Sequence, residues 1–249
     1  MLPELTREEL AAALDTTAMS VMRAAGIDGP PVDAFRLAES LGIVVALDDR
    51  QAGRARYVRV AARPHTSRPS QASILMRREP RHERRQWAVA HELGEHLAIE
   101  AFGRLGHDFG EISEGVREEI ANLLANRLLL PSEWLARAGQ ACLWDLLALK
   151  SVFATASHEL VARRMLDFDA PVIVTVWDNG RVTFRRANFG GRAPALFRQE
   201  RDCWQTAHTS GQPSACNTSS LLVRGWPIHE AEWKREILRT EPTEDSEDS

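Results

Sequence analysis

Residues 88 to 98 read Ala88-Val89-Ala90-His91-Glu92-Leu93-Gly94-Glu95-His96-Leu97-Ala98, which places two histidines and two glutamates inside an otherwise apolar run. The surrounding residues predict a helix from about Glu83 to Phe102. Side chains four residues apart lie on one face of a helix, so His91 and Glu95 can reach the same metal ion, with Glu92 beside them. The stretch therefore predicts a metal-binding helix.

Two assignments of these side chains are compatible with helical spacing. The zinc-protease motif H-E-x-x-H uses two histidine ligands and a glutamate as general base, and this chain has Glu95 in place of the second histidine. In the first assignment His91 and Glu95 are ligands and Glu92 is the base. In the second, Glu92 and His96 are the ligands and Glu95 is the base. His91 and His96 make a poorer pair, because five residues advance a helix about 140° beyond a full turn.

A second predicted helix, from about Gly115 to Leu130 and ended by Pro131, offers a third ligand. A catalytic zinc site uses three protein ligands and keeps one position open for water. Glu118 is the candidate third ligand. Asn122, one turn later, can hydrogen-bond the outer nitrogen of His91 and fix its tautomer. Glu119 is the weaker alternative to Glu118, because its side chain points about 100° away.

The composition is that of a soluble globular protein with one large domain, or with one domain and an appendage. The chain has 249 residues, 44% of them apolar, and a formal net charge of −4. This charge gives no general affinity for nucleic acid, and no apolar run is long enough to span a membrane. Cys142, Cys203 and Cys216 form no C-x-x-C pair, which favours reduced thiols and a cytoplasmic protein.

A small sheet and further helices are predicted around the two motif helices. Before the motif we expect helices from Thr6 to about Met22 and from Pro31 to Gly42, a buried strand at 43–47 that pairs with 57–60, an exposed loop at 61–70 and a strand at 73–76. After it, helices are expected at 132–135, 143–149 and 157–166. The segment 171–185 predicts a β-hairpin, because Asn179-Gly180 separates two alternating runs.

The chain resembles the ImmA/IrrE family of metallopeptidases over roughly residues 30 to 190. The matching segments are Pro31-Val32-Asp33, Leu37-Ala38-Glu39, Leu41-Gly42-Ile43, Gln86 to Gly94, Glu118, Ala121-Asn122 and Leu129-Leu130-Pro131. The resemblance implies an α+β fold with a zincin-like helical core, a small β-sheet and a C-terminal β-hairpin extension. It also implies the metal ligands His91, Glu95 and Glu118, with Glu92 as the catalytic base.

The resemblance further implies a function, and together with the sequence pattern outside the matched segments it divides the chain into regions. The expected activity is that of a zinc-dependent endopeptidase acting on a regulatory protein during a stress response, with a helix-turn-helix repressor as candidate partner and no direct contact with nucleic acid. The expected regions are an N-terminal helix at 1–28, the peptidase domain at 29–190, an extension of unassigned role at 191–240 and a disordered acidic tail at 241–249.

Glu95 changes the chemistry that the family motif would provide. A His-Glu-Glu set carries two negative charges, so it neutralises Zn²⁺, weakens it as a Lewis acid and makes Mn²⁺ or Fe²⁺ acceptable alternatives. Three hypotheses follow from the sequence. The chain is an active metallopeptidase, a metal-binding regulator that docks a repressor without cutting it, or a scaffold that holds no metal.

Overall fold

The computed structural model describes residues 6–50, 53–60, 71–106 and 113–243. Its mixed helices and strands confirm the predicted α+β class. The helices are α1 (Arg7–Ala24), α2 (Ala34–Ser40), α3 (His82–Arg104), α4 (Glu114–Leu129), α5 (Ser132–Ala141), α6 (Leu146–Val152), α7 (His158–Arg164) and α8 (Arg198–Ser210). The strands are β1 (Val44–Leu47), β2 (Ala55–Val60), β3 (Gln71–Met76), β4 (Ile173–Asp178), β5 (Arg181–Ala187), β6 (Ser214–Asn217), β7 (Leu221–Glu230) and β8 (Trp233–Pro242). Within the described part of the chain, no helix has the length and apolarity needed to cross a membrane.

The chain divides into two compact units. The first comprises Met1–Ala141 and Ser151–Ser157, and the second comprises Cys142–Lys150 and His158–Ser249. This division differs from the boundary predicted at residue 190, because β4 and β5 belong to the same sheet as β6, β7 and β8. The predicted acidic tail also begins later, since Glu241 and Pro242 complete β8. Residues 244–249 and the predicted loop at 61–70 lie outside the described residues.

In the first unit, a three-stranded sheet precedes α3 and has the order β1-β3-β2. β1 is parallel to β3 and β2 is antiparallel to it, so the predicted pairing of 57–60 with 43–47 is wrong. Among the described strands of this sheet, β3 has a strand on each side and β1 and β2 lie at the edges. The prediction that 43–47 is buried also fails in part, because Val44 and Leu47 are 50% and 63% exposed on an edge strand.

The helices of the first unit are fixed to one another by buried polar contacts. Gln86 of α3 is buried, and its amide oxygen accepts the Ala34 N–H at 2.7 Å while its amide nitrogen donates to Asp33 at 3.0 Å. Arg127 of α4 forms an ion pair with Asp15 of α1 at 3.1 Å. The first set of contacts joins α3 to the start of α2, and the ion pair joins α4 to α1.

In the second unit, a five-stranded antiparallel sheet has the order β5-β4-β8-β7-β6. The predicted hairpin is confirmed, with Asn179 and Gly180 at φ values of 48° and 76° in its turn. Helix α6 starts at Leu146 rather than at 143, because Leu143 and Trp144 have left-handed φ values that a right-handed helix excludes. Helix α8 and strand β8 were not predicted, and both carry polar residues on their buried faces.

An ion pair between Asp178 and Arg235 joins β4 to β8 in this second unit. Burial raises the pKa of Asp178, but hydrogen bonds from Arg235 at 2.7 and 2.9 Å and from Thr183 at 2.7 Å outweigh it and lower the pKa below its usual value. A depressed carboxyl pKa stabilises the fold above the unfolded-state pKa, and this contribution is lost as the pH falls through the folded-state pKa. We therefore expect the free energy of unfolding of the wild-type protein, measured with urea, to decrease more between pH 6 and pH 3 than that of Asp178→Asn. Parallel pH profiles of the two proteins would contradict this.

Candidate metal centre

His91, Glu95 and Glu118 converge where α3 and α4 pack together. The Nε2 atom of His91 lies 3.9 Å from a carboxylate oxygen of Glu95 and 3.5 Å from one of Glu118. His91 is largely buried, whereas Glu95 and Glu118 are about half exposed, with side-chain exposures of 47% and 54%. The structure thus brings together the three residues expected to be ligands, with an opening to solvent on the carboxylate side.

Gly94 allows the two helices to approach closely enough for this convergence. A Cβ atom at Gly94 would lie 2.4 Å from the backbone oxygen of Ala121 and 3.2 Å from its carbonyl carbon. Real side chains do not occupy such a gap, so only glycine permits this packing distance. Gly94 lies next to Glu95 in the sequence, and Ala121 lies one helical turn after Glu118. This close approach of the helices therefore lies at the candidate site.

The spacing of the ligand atoms fits a small divalent cation. Zinc bonds imidazole nitrogen and carboxylate oxygen at about 2.0–2.2 Å in tetrahedral geometry, which places ligand atoms about 3.3–3.5 Å apart. The observed separations of 3.5 and 3.9 Å need only small side-chain rotations to reach these values. The three ligand atoms lie within 4.8 Å of one another. One imidazole and two carboxylates also suit the harder ions Mn²⁺ and Fe²⁺.

Glu92 lies beside this group but is enclosed, with 6% of its surface exposed. Its Oε2 atom accepts a 2.6 Å hydrogen bond from the backbone N–H of Tyr57 on β2. Burial raises the pKa of Glu92, and the negative charge of Glu95 adds to this effect, while the Tyr57 N–H opposes it. The Glu92 carboxylate is thus held in one orientation in an enclosed environment.

Trp87 orients the His91 imidazole through a contact that was not predicted from the sequence. Its ring stacks on the His91 ring with centroids 5.2 Å apart, and its Nε1–H donates to Asn126 at 3.4 Å. The predicted bond from Asn122 to His91 is wrong, because Asn122 donates to Glu118 at 3.4 Å instead. Among the described residues, the buried Nδ1 atom of His91 has no hydrogen-bond partner. The i, i+4 spacing of Trp87 and His91 was the sequence signal for the stacking.

The second assignment, with Glu92 and His96 as ligands, is not reproduced in the geometry. The His96 ring stacks on the Tyr57 ring with centroids 5.1 Å apart. In the sequence, His91 precedes Glu92 and His96 follows it. Within the described part of the chain, neither His96 nor Glu119 belongs to a group of converging ligand atoms. The arrangement therefore favours His91, Glu95 and Glu118.

Comparisons with known proteins bear on the fold. No protein-family model matches the chain, and no curated protein sequence matches it. Among solved structures, the chain is similar to a Mycobacterium tuberculosis transcriptional regulator with a TM-score of 0.61 and 18% sequence identity, over 92% of this chain and 75% of that chain. At this identity the similarity shows that the two chains share a fold.

Proposed function

We propose that the chain is a metal-dependent endopeptidase that cuts a regulatory protein. The observation that carries the proposal is the convergence of the His91 nitrogen with the Glu95 and Glu118 carboxylates beside the enclosed Glu92. A nitrogen and two carboxylate oxygens at this spacing hold a divalent ion with one position left for a reactant. The chemistry that zinc supplies at such a site is polarisation of a water molecule and of the scissile carbonyl.

Glu92 moves the proton in this mechanism. The Tyr57 N–H holds Oε2 at 2.6 Å, which fixes the carboxylate and leaves Oε1 to accept the proton of the attacking water. The same oxygen then delivers that proton to the leaving amine. Trp87 keeps the His91 ring in one plane through its stacking contact, so the ligand nitrogen stays directed at Glu95 and Glu118. Residues 87, 91, 92 and 95 act from one helix, and Glu118 acts from its neighbour.

The expected substrate is a peptide segment in extended conformation. Among the described strands of the first sheet, β2 lies at the edge next to the candidate site. An edge strand presents N–H and C=O groups that an extended peptide can pair with. The Tyr57 N–H is taken by Glu92, so a peptide that pairs with the other edge groups of β2 would run past the base. Folded proteins offer such segments mainly in exposed loops and linkers.

The test of this proposal is the substitution Glu92→Gln. Removing the base removes the proton transfer, so we expect the rate of cleavage to fall by about 10²–10⁴-fold. Metal binding should be retained. The measurement is mass spectrometry of new protein N-termini in a cell extract incubated with zinc and either protein. Glu100→Gln, on the exposed part of the same helix, is the matched control and should cleave as the wild type does. Equal cleavage by wild type and Glu92→Gln would remove Glu92 from the mechanism.

A second candidate function is regulation without cleavage, in which the metal-bound chain docks a repressor. Two observations favour it. Glu95 adds a second carboxylate to the ligand set, which weakens the ion as a Lewis acid, and the structure with a similar fold is named a transcriptional regulator. The same extract experiment separates the two functions. Regulation by docking predicts no new N-termini with either protein, and an intact repressor bound equally by the wild type and by Glu92→Gln.

A further inference from the structure

A second group of ligand side chains occurs in the second unit, in the segment after residue 190 that the resemblance does not cover. His208 lies in the last turn of α8, His229 near the end of β7 and Glu236 on β8. The Oε1 atom of Glu236 is 2.9 Å from Nδ1 of His208 and 2.6 Å from Nε2 of His229. All three ligand atoms lie within 4.8 Å of one another. Two imidazoles and one carboxylate thus meet at a single point from three elements.

The carboxylate of Glu236 is fully buried and already oriented. Its side chain has no exposed surface, and Oε2 accepts a 3.0 Å hydrogen bond from Nε1–H of Trp204. This bond turns Oε1 towards the two imidazoles. Trp204 also holds the His208 ring, with centroids 5.1 Å apart, and stacks on Trp177 with centroids 4.4 Å apart. A carboxylate without exposed surface needs a positive partner, and a metal ion provides one.

The position of the group at the end of α8 favours a cation as well. The carbonyl groups of the last helical turn give that end a partial negative charge, which attracts positive charge. His208 is three residues before Gly211, which ends the helix in a left-handed conformation. The imidazole side chains are 28% and 21% exposed, so an ion and a water molecule can reach them. The group is therefore closed on the carboxylate side and open on the imidazole side.

We propose that His208, His229 and Glu236 form a zinc-binding site that ties the end of α8 to β7 and β8. Two histidines and one glutamate are a ligand set that zinc uses in proteins, with the fourth position taken by water. Without the ion the three side chains keep hydrogen-bonding distances. To bind zinc, each imidazole would give up the proton that it donates to Oε1, either to solvent or to its other ring nitrogen, and small side-chain rotations would make room for the ion. This proposal is independent of the proposed peptidase function.

Cobalt titration of the full chain tests the site. The titration uses a background variant that lacks two ligands of the candidate metal centre. Glu95→Gln with Glu118→Gln removes two ligands of the candidate metal centre, and both side chains are exposed there. We expect this double variant to bind one equivalent of Co²⁺, with visible absorption bands of low-coordinate cobalt and quenching of tryptophan fluorescence. A group that orients a ligand is worth about 10–100-fold in affinity, so Trp204→Phe should weaken binding by that factor and His229→Gln by at least about 100-fold.

The controls separate loss of a ligand from loss of the fold. His158→Gln changes another histidine of the second unit that lies outside the group, and it should bind Co²⁺ as the background does. Circular dichroism of each apo variant shows whether α8 and the sheet are retained. The melting temperature of the background protein should rise with the logarithm of the zinc concentration. The rise should be much smaller when the background also carries His229→Gln. Absence of Co²⁺ binding in the background, or equal binding in His229→Gln, would overturn the site and leave a hydrogen-bonded triad.

Discussion

Gly94→Ala is expected to disrupt the candidate metal centre and destabilise the first unit at the same time. The added methyl group would lie 2.4 Å from the Ala121 backbone oxygen, and backbone cannot rotate away as a side chain can. Carbon and oxygen atoms pack at about 3.5 Å, so α3 and α4 must separate by about 1 Å. Overpacking of this kind costs about 1–3 kcal/mol of unfolding free energy, even though alanine favours a helix more than glycine does.

The effect on metal binding follows from the same displacement. Glu118 and His91 are held 3.5 Å apart across the two helices, and ligand distances in a metal site are confined to about ±0.2 Å. A shift of about 1 Å in the helix that carries Glu118 therefore displaces this ligand, and we expect weaker metal binding. Isothermal titration with zinc and urea unfolding of the same protein measure the two consequences. In both measurements the wild-type protein is the reference.

Gly103→Ala is the matched control for this prediction. Gly103 lies on the same helix, and a Cβ atom there would meet nothing within 4 Å among the described residues. The alanine should stabilise the protein by about 0.5–1 kcal/mol through helix propensity alone and leave metal binding unchanged. If Gly94→Ala behaved in the same way as this control, the close contact with Ala121 would not be what positions the candidate site.

The features that the sequence predicted well are those encoded by neighbouring residues. The motif helix, the following helix and the Asn179-Gly180 hairpin depend on spacings of a few residues, and all three are present. The importance of Gly94 was not predictable, because it depends on which residue of α4 lies opposite. Likewise, Tyr57 reaches Glu92 across 35 residues of sequence, and no local pattern indicates such a contact.

The elements that were missed have polar residues where a periodic pattern expects apolar ones. The buried positions of α8 are Glu200, Cys203 and Ala207, which have helical spacing but include a charged residue and a small one. Strand β8 is central in its sheet, yet it buries Glu236, Arg239 and Thr240. Hydrophobic periodicity cannot identify such elements. The group of His208, His229 and Glu236 was hidden for the same reason, because it exists only once these elements pair.

Glu200→Ala is expected to cause the largest loss of stability in the second unit. The Glu200 side chain has no exposed surface, and it accepts two hydrogen bonds of 2.9 Å from Arg185 and one of 2.7 Å from Thr240. It also accepts the Phe197 N–H at the start of α8 at 2.9 Å. Truncation leaves the Arg185 guanidinium, 12% exposed, without its counter-ion. Breaking a buried pair from one side costs about 3–5 kcal/mol, measurable by urea unfolding.

A matched pair on the same helix separates this effect from a general loss of charge. Arg198 and Asp202 also pair on α8, but at 3.7 Å and with 91% and 69% of their side chains exposed. Asp202→Ala should change the unfolding free energy by less than about 1 kcal/mol. Arg185→Met combined with Glu200→Leu should recover much of the loss, because two apolar side chains leave no buried charge unpaired. A double variant as unstable as Glu200→Ala would mean that the Phe197 cap and the Thr240 bond, rather than the ion pair, account for the loss.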